Sequence, residues 1–272
     1  MSAKIKIAAC QTRDVHEDIA GQLDTLEALT AKATAEGANI VLFPEGFLQG
    51  YLTKEEPARR LALDLSSADF TQILHRLAKL EPIIVFGLIE KEADTLFNTA
   101  VVIHHGQLLG RYRKTHLLPG ESIFQAGNSY PIFDANGLKF GINICYDMQF
   151  PEVAQAVADQ GADIILCPAN NMMRRENAEK WKHRHHEMRI QRAKETNCWI
   201  VSADVTGERD GRIGYGPTSV ISPEGKVVAQ VPLLQEGLIT QPLPSHASDN
   251  NQSPPPQSQT NHPTAPHRET PK

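Results

Sequence analysis

No stretch of about 18 apolar residues occurs in this chain of 272, so no membrane-spanning helix is expected. The opening MSAKIKIAACQ is too short and too charged to be the apolar segment of a secretory signal, which makes a cytoplasmic protein the expectation. Cysteine is scarce. Cys10, Cys145, Cys167 and Cys198 lie far apart in or beside apolar runs, with no CxxC pair, so they read as reduced thiols and not as a disulfide framework or a zinc site. Neither sign of charge dominates: 27 Lys and Arg stand against 32 Asp and Glu, and a net −5 gives no general affinity for nucleic acid. No internal repeat is visible.

Residues 245–272, SHASDNNQSPPPQSQTNHPTAPHRETPK, lack Leu, Ile, Val, Phe, Met, Trp, Tyr and Cys altogether. Such a segment cannot bury enough apolar surface to offset the entropy of ordering, so it is expected to be a disordered tail. SPPPQ is a weak signal for a proline-rich ligand. One domain over 1–244 remains.

That domain alternates strand and helix signals. KIKIAAC reads as a strand, and Ile19, Leu23, Leu26, Leu29 and Ala33 mark a helix over 17–36 that Gly37 stops. NIVLF is a strand and 67–80 a helix capped by Ser67. IIVFGLIE, NTAVVIHHGQLLGRYR and YPIFDANGLKFGINI are strands, the last two folded at His-Gly and Asn-Gly. A helix over 152–160, the strand DIILC, a helix over 177–196, the strand WIVSADV and a hairpin TSVISPEGKVVAQV follow. This pattern predicts an α/β fold with helices covering the sheet faces.

Three polar residues stand where apolar strands stop. Glu45 follows IVLFP, Lys114 follows LLGRYR and Cys145 follows LKFGINI. Ligand sites of α/β sheets lie beyond the carboxyl ends of strands, so the three can converge. Each alone reads as an ordinary strand end, and a free cysteine is most often a packing residue. Together they form a chemical set. A thiol with a pKa of about 8.5 is mostly protonated at neutral pH, a nearby carboxylate can take its proton, and an ammonium can stabilise the developing oxyanion. Acyl transfer through a thioester then needs neither metal nor cofactor.

The segments LFPEGF around Glu45, YRKTHLLPGE around Lys114 and Glu121, and ICYDMQFPE around Cys145 occur in the order found in the carbon–nitrogen hydrolase (nitrilase) superfamily, which the chain resembles over roughly residues 4–243. The resemblance implies a four-layer α-β-β-α sandwich that assembles as a homodimer or larger homo-oligomer. It implies Cys145 as nucleophile, Glu45 as general base and then acid, Lys114 as oxyanion stabiliser, and Glu121 as a second glutamate that positions lysine and substrate. The backbone N–H of Tyr146 would complete the oxyanion site. CYD looks like the amidase branches, whereas nitrilases usually carry Cys-Trp-Glu there, and CYDMQFPE is most similar to omega-amidase and Nit-like members. The implied activity is hydrolysis of a small linear amide with release of ammonia. An N-carbamoyl amidohydrolase, releasing carbon dioxide as well, is the alternative. A catalytically silent partner-binding member is the alternative of another class.

Other features have weaker readings. Tyr51 borders the Glu45 loop as a pocket residue or a half-buried core tyrosine. Asn170 and Asn171 follow DIILCP as substrate contacts or turn residues. Asp147 and Glu152 suit the start of the helix after Cys145. Residues 174–194 carry eight Lys and Arg and three His against three Glu, which reads as a solvated or interfacial helix face, with one arginine available to a substrate carboxylate. His183, His185 and His186 lack the HExxH spacing of a metal site.

Overall fold

The computed structural model describes residues 5–244; the tail expected to be disordered lies outside the described residues. The strands in chain order are β1 (Ile5–Arg13), β2 (Ile40–Leu42), β3 (Ile83–Glu92), β4 (Thr95–His104), β5 (Gln107–Arg113), β6 (Phe133–Ala135), β7 (Leu138–Ile142), β8 (Ile164–Pro168), β9 (Met173–Arg174), β10 (Trp199–Ala203), β11 (Val205–Arg209), β12 (Arg212–Tyr215), β13 (Ser219–Ile221), β14 (Val227–Gln230) and β15 (Gly237–Leu243). The helices are α1 (Ile19–Ala35), α2 (Glu55–Leu61), α3 (Ala68–Leu77), α4 (Pro151–Ala158), α5 (Arg175–Trp181) and α6 (Arg184–Thr196).

The strands make two mixed sheets. One runs β5-β4-β3-β2-β1-β11-β12-β9, with β15 also against β1; the other runs β14-β13-β10-β8-β7-β6. Alternation along each strand divides its apolar residues between two faces. Ile5, Ile7, Ile40, Leu42 and Val85 meet Phe140, Ile142, Leu166 and Val201 between the sheets. Ala8, Val41, Phe43 and Phe86 turn the other way, onto Leu23, Leu26, Phe70 and Leu77 of α1 and α3. Ile165, Cys167 and Ile200 lie under Ala154, Val157 and Ala193 of α4 and α6. The result is the four-layer α-β-β-α sandwich. α1 and α3 start where short polar side chains cap them: Asp18 accepts from Gly21 N at 2.9 Å and Ser67 from Phe70 N at 3.2 Å. No helix among the described residues is long and apolar enough to cross a membrane.

Three expectations need correction. WIVSADV is not one strand. It divides at Asp204 into β10 of one sheet and β11 of the other, because the Asp204 carboxylate accepts from Val205 N at 2.9 Å and Asn171 N at 3.0 Å and turns the chain there. The helix over 177–196 is two helices that break near Lys182 and His183, since α5 packs on β9 and β12 while α6 packs on β10, β13 and α4. The basic segment is only partly solvated. Arg189, Arg192 and His185 are buried, and the Arg189 guanidinium donates to Ser202 Oγ at 3.0 Å and Pro217 O at 2.9 Å and meets Asp204 at 3.4 Å. It is therefore not the arginine for a substrate carboxylate. α2, β15 and the β11–β12 hairpin have no counterpart in the sequence reading.

Burial, with Arg189 and His186 beside it, lowers His185 from 6.5 to about 3; burial and Arg189 lower His186 to about 4. The unfolded chain takes up these protons below pH 6.5 and the folded chain does not, so stability falls as pH drops from 6.5 toward 4. His185 alone accounts for about 2 kcal/mol by pH 5. Urea midpoints at pH 7 and pH 5 check this: His185→Gln should shrink the difference between them, and an unchanged difference would remove His185 as its source.

Candidate active site

Glu45 sits in the turn after β2, pressed against β3. The contact depends on Gly87, where a Cβ would fall 2.4 Å from Gly46 N and 2.7 Å from Glu45 Cα. Gly87 N donates to Pro44 O at 3.0 Å, and Gly87 O accepts from Leu48 N at 3.0 Å, so the glycine holds both sides of the turn. Gly87→Ala should displace Glu45 and lower kcat by about 10²-fold, the effect of an ångström-scale misplacement. Turnover near the wild-type value in a folded variant would show that the turn tolerates the shift.

Lys114 follows β5, whose period of two sends neighbouring side chains opposite ways. Arg113 goes to the buried Glu90 at 2.6 Å, while Lys114 Nζ lies 2.8 Å from Glu45 Oε1 and 2.9 Å from Glu121 Oε1. Glu121 ends a short 3₁₀ turn, its second oxygen accepting from Leu118 N at 2.7 Å. Asn98 of β4 completes the cluster, with Nδ2 donating to Glu45 at 2.8 Å and to Glu121 at 3.0 Å. Sequence reasoning passed over Asn98. Its signal was the β4–β5 hairpin, which places it across from Lys114, whose N–H donates to Asn98 O at 2.9 Å.

The cluster holds two carboxylates and one ammonium, all buried. Burial, together with Glu121, raises the Glu45 pKa, and Lys114 and Asn98 oppose the rise. Burial works against the Lys114 charge but is outweighed by the Glu45 and Glu121 carboxylates, so the ammonium is retained well into the alkaline range.

Cys145 follows β7 and starts a 3₁₀ turn over Cys145–Gln149. Its φ of +45° is left-handed, a conformation that costs a non-glycine residue energy and that surrounding contacts must enforce. Asp147 supplies them. One carboxylate oxygen accepts from Ile144 N at 2.9 Å and Tyr112 OH at 2.8 Å; the other accepts from His116 N at 2.8 Å and Thr115 Oγ1 at 3.0 Å. Asp147 thus does more than start a helix: it ties the cysteine turn to the loop after Lys114. Glu152 lies in the first turn of α4. Burial and the Glu45 charge push the Cys145 thiol well above its ordinary pKa, against the pull of Lys114, so the resting group is a neutral thiol. Its sulfur lies 3.8 Å from Asn171 Oδ1. Asn171 Nδ2 donates to Asp204, which fixes the amide with its oxygen toward the thiol.

Asn170 N donates to Glu45 Oε2 at 3.0 Å, and its side chain donates to Asp14 at 3.0 Å. The N–H of Tyr146 lies in the first turn of the 3₁₀ segment, where backbone donors lack an intrahelical acceptor. The Tyr51 ring centre is 5.9 Å from Lys114 Nζ. Tyr51 and Asn170 also line a cavity of about 310 Å³, whose wall includes none of Glu45, Asn98, Lys114, Glu121 and Cys145. Among the described residues no group of three or more His, Cys, Asp or Glu is placed to hold a metal ion.

The family profile described as carbon-nitrogen hydrolase matches residues 6–248. The chain belongs to the carbon–nitrogen hydrolase family. It is 34% identical over 214 residues to a nitrilase of Pyrococcus abyssi, covering 77% of this chain and 78% of the relative. It is 33% identical over 218 residues to an omega-amidase of Xenopus laevis, covering 74% and 75%. A solved amidase from Nesterenkonia sp. shares the fold of this carbon–nitrogen hydrolase, with a TM-score of 0.77 at 24% identity over 90% of this chain and 92% of that one.

Proposed function

We propose that this carbon–nitrogen hydrolase cleaves a linear amide bond in a small molecule through a thioester on Cys145, releasing ammonia. The observation that carries this reading is one buried ammonium, Lys114, shared by Glu45 and Glu121 beside a thiol held on a left-handed turn. Cys145 Sγ attacks the amide carbon as its proton passes to Glu45. Lys114 and the N–H of Tyr146 receive the oxyanion. Glu45 returns the proton to the departing nitrogen, and ammonia leaves. Glu45 then takes a proton from water, the hydroxide adds to the thioester, and the released thiolate recovers the proton. Glu121 and Asn98 hold Lys114 and Glu45 in register. The omega-amidase relative supports an amide, and the nitrilase relative makes a nitrile the substrate to test against it. A screen of ammonia release over small amides, omega-amides, N-carbamoyl compounds and nitriles tests the proposal. Turnover of amides supports it; exclusive turnover of nitriles or N-carbamoyl compounds would replace it.

A further inference from the structure

The two oxygens of the Glu45 carboxylate have different surroundings. Oε1 accepts from Lys114 Nζ at 2.8 Å and from Asn98 Nδ2 at 2.8 Å. Both of its lone pairs are thereby used. Oε2 accepts one hydrogen bond among the described residues, from Asn170 N at 3.0 Å. Oε2 is therefore the oxygen with a lone pair left for a proton, and the Asn170 N–H is the donor that holds it in place.

Asn170 lies past the end of β8, outside any strand or helix. Its side chain is fixed at both ends. Oδ1 accepts from Met172 N at 3.3 Å, and Nδ2 donates to Asp14 Oδ1 at 3.0 Å. Asp14 follows β1 of the other sheet, and its side chain is 2% exposed. Its second oxygen, Oδ2, accepts from Arg209 Nε at 3.0 Å and Nη2 at 2.7 Å. Arg209 ends β11, which runs parallel beside β1. Charge-assisted bonds from a planar guanidinium fix the carboxylate and leave its other oxygen for Asn170. The contacts thus run from Arg209 through Asp14 and Asn170 to Glu45. Asp14, Asn170 and Glu45 also line one narrow crevice.

We propose that Asp14 is a positioning residue of the hydrolytic reaction: it holds Asn170 so that the Asn170 N–H keeps Glu45 Oε2 turned to receive the proton of Cys145. The inference rests on the amide-hydrolase reading for the reaction it serves. A hydrogen bond to a carboxylate favours its charged form. Loss of the Asn170 N–H therefore raises the Glu45 pKa and frees Oε2 to turn away. Lys114, Glu121, Cys145 and Tyr51 are the other titratable groups that act on or feel Glu45, and His16 and Arg209 face Asp14. None of the six is altered when Asp14 is replaced by Ala.

The test measures two pH profiles: kcat/KM for a good amide, and the rate of Cys145 alkylation by iodoacetamide with Cys145→Ala protein as the blank. The second reports proton transfer from the thiol without amide turnover. Asp14→Ala, shown folded by circular dichroism and thermal unfolding, should move the acid limb of both profiles to higher pH. It should lower kcat by about 10–100-fold, the range for a lost hydrogen bond to a charged group, with KM little changed. Asn170→Ala should do the same, and the double variant should be little worse than either alone, because the two act through one contact. Asp14→Asn keeps an oxygen for Asn170 and should recover part of the loss. His16→Gln, which removes the imidazole beside Asp14, should leave both limbs where they are. Limbs unmoved in folded Asp14→Ala and Asn170→Ala, losses that add in the double variant, an effect confined to KM, or limbs that follow His16→Gln would overturn the proposal. An alkylation limb that moves as expected in a protein that hydrolyses no amide would keep the positioning role and remove the amidase reading. Amide turnover with neither limb moved would do the reverse.

Discussion

Cys145→Ala should lose amide turnover by at least about 10⁴-fold while the fold stays intact, since removing a covalent nucleophile leaves only binding and oxyanion stabilisation. Cys145→Ser should fare little better. A hydroxyl is far less acidic than a thiol, and Glu45 would have to accept its proton. The fold is expected to survive because the left-handed turn is held by Asp147 through the backbone of Ile144 and the side chain of Tyr112, not by the thiol. Circular dichroism beside the kinetic assay checks both halves. A folded Cys145→Ala protein that still hydrolyses amides would eliminate the thioester.

Lys114→Met keeps the length of the side chain and removes the charge. It should lower kcat by at least about 10²-fold through the lost oxyanion partner. It should also move the pH profile. Lys114 holds the Glu45 pKa down against burial and Glu121, so its loss raises that pKa further. A base works only above its pKa, and the acid limb of kcat/KM should therefore shift to higher pH. The Cys145 thiol loses the same attraction, so alkylation at neutral pH should slow. Removing one partner of a buried pair costs about 3–5 kcal/mol, and the assays belong at a temperature where the variant is shown to be folded. Turnover and alkylation both within about twofold of wild type, in place of the ~3–4 kcal/mol effect of an oxyanion donor, would remove Lys114 from the chemistry.

Glu45, Lys114 and Cys145 were legible as polar residues that follow strands; Glu45 and Lys114 follow β2 and β5 of one sheet and Cys145 follows β7 of the other, an arrangement across two sheets that no single strand announces. Glu121 was legible only through the resemblance. It lies in a 3₁₀ turn with no periodicity of its own, and its place depends on reaching back to Lys114. Asn98 was hidden because a polar residue opening an apolar strand looks like an edge, and only pairing across the hairpin turns it toward the glutamates. Asp204 was read through as part of one strand. Nothing local announces that a continuous apolar stretch changes sheets there; the partners that make it do so, Asn171 and Arg189, come from distant segments. Asp210-Gly211 did carry a local signal, a turn pair whose φ values of +50° and +71° suit a tight hairpin, and it marks the turn between β11 and β12.

The central claim is the acyl-enzyme. Its most direct test is the intact mass of the protein after acid quenching during turnover of a good amide substrate, followed by mapping of the adduct. The expected result is a fraction carrying the mass of the acyl group on the peptide that contains Cys145, appearing with the ammonia and absent from Cys145→Ala. Steady ammonia release with no acyl mass at any quench time, including in the presence of hydroxylamine as a competing acceptor that yields no hydroxamate, would contradict it.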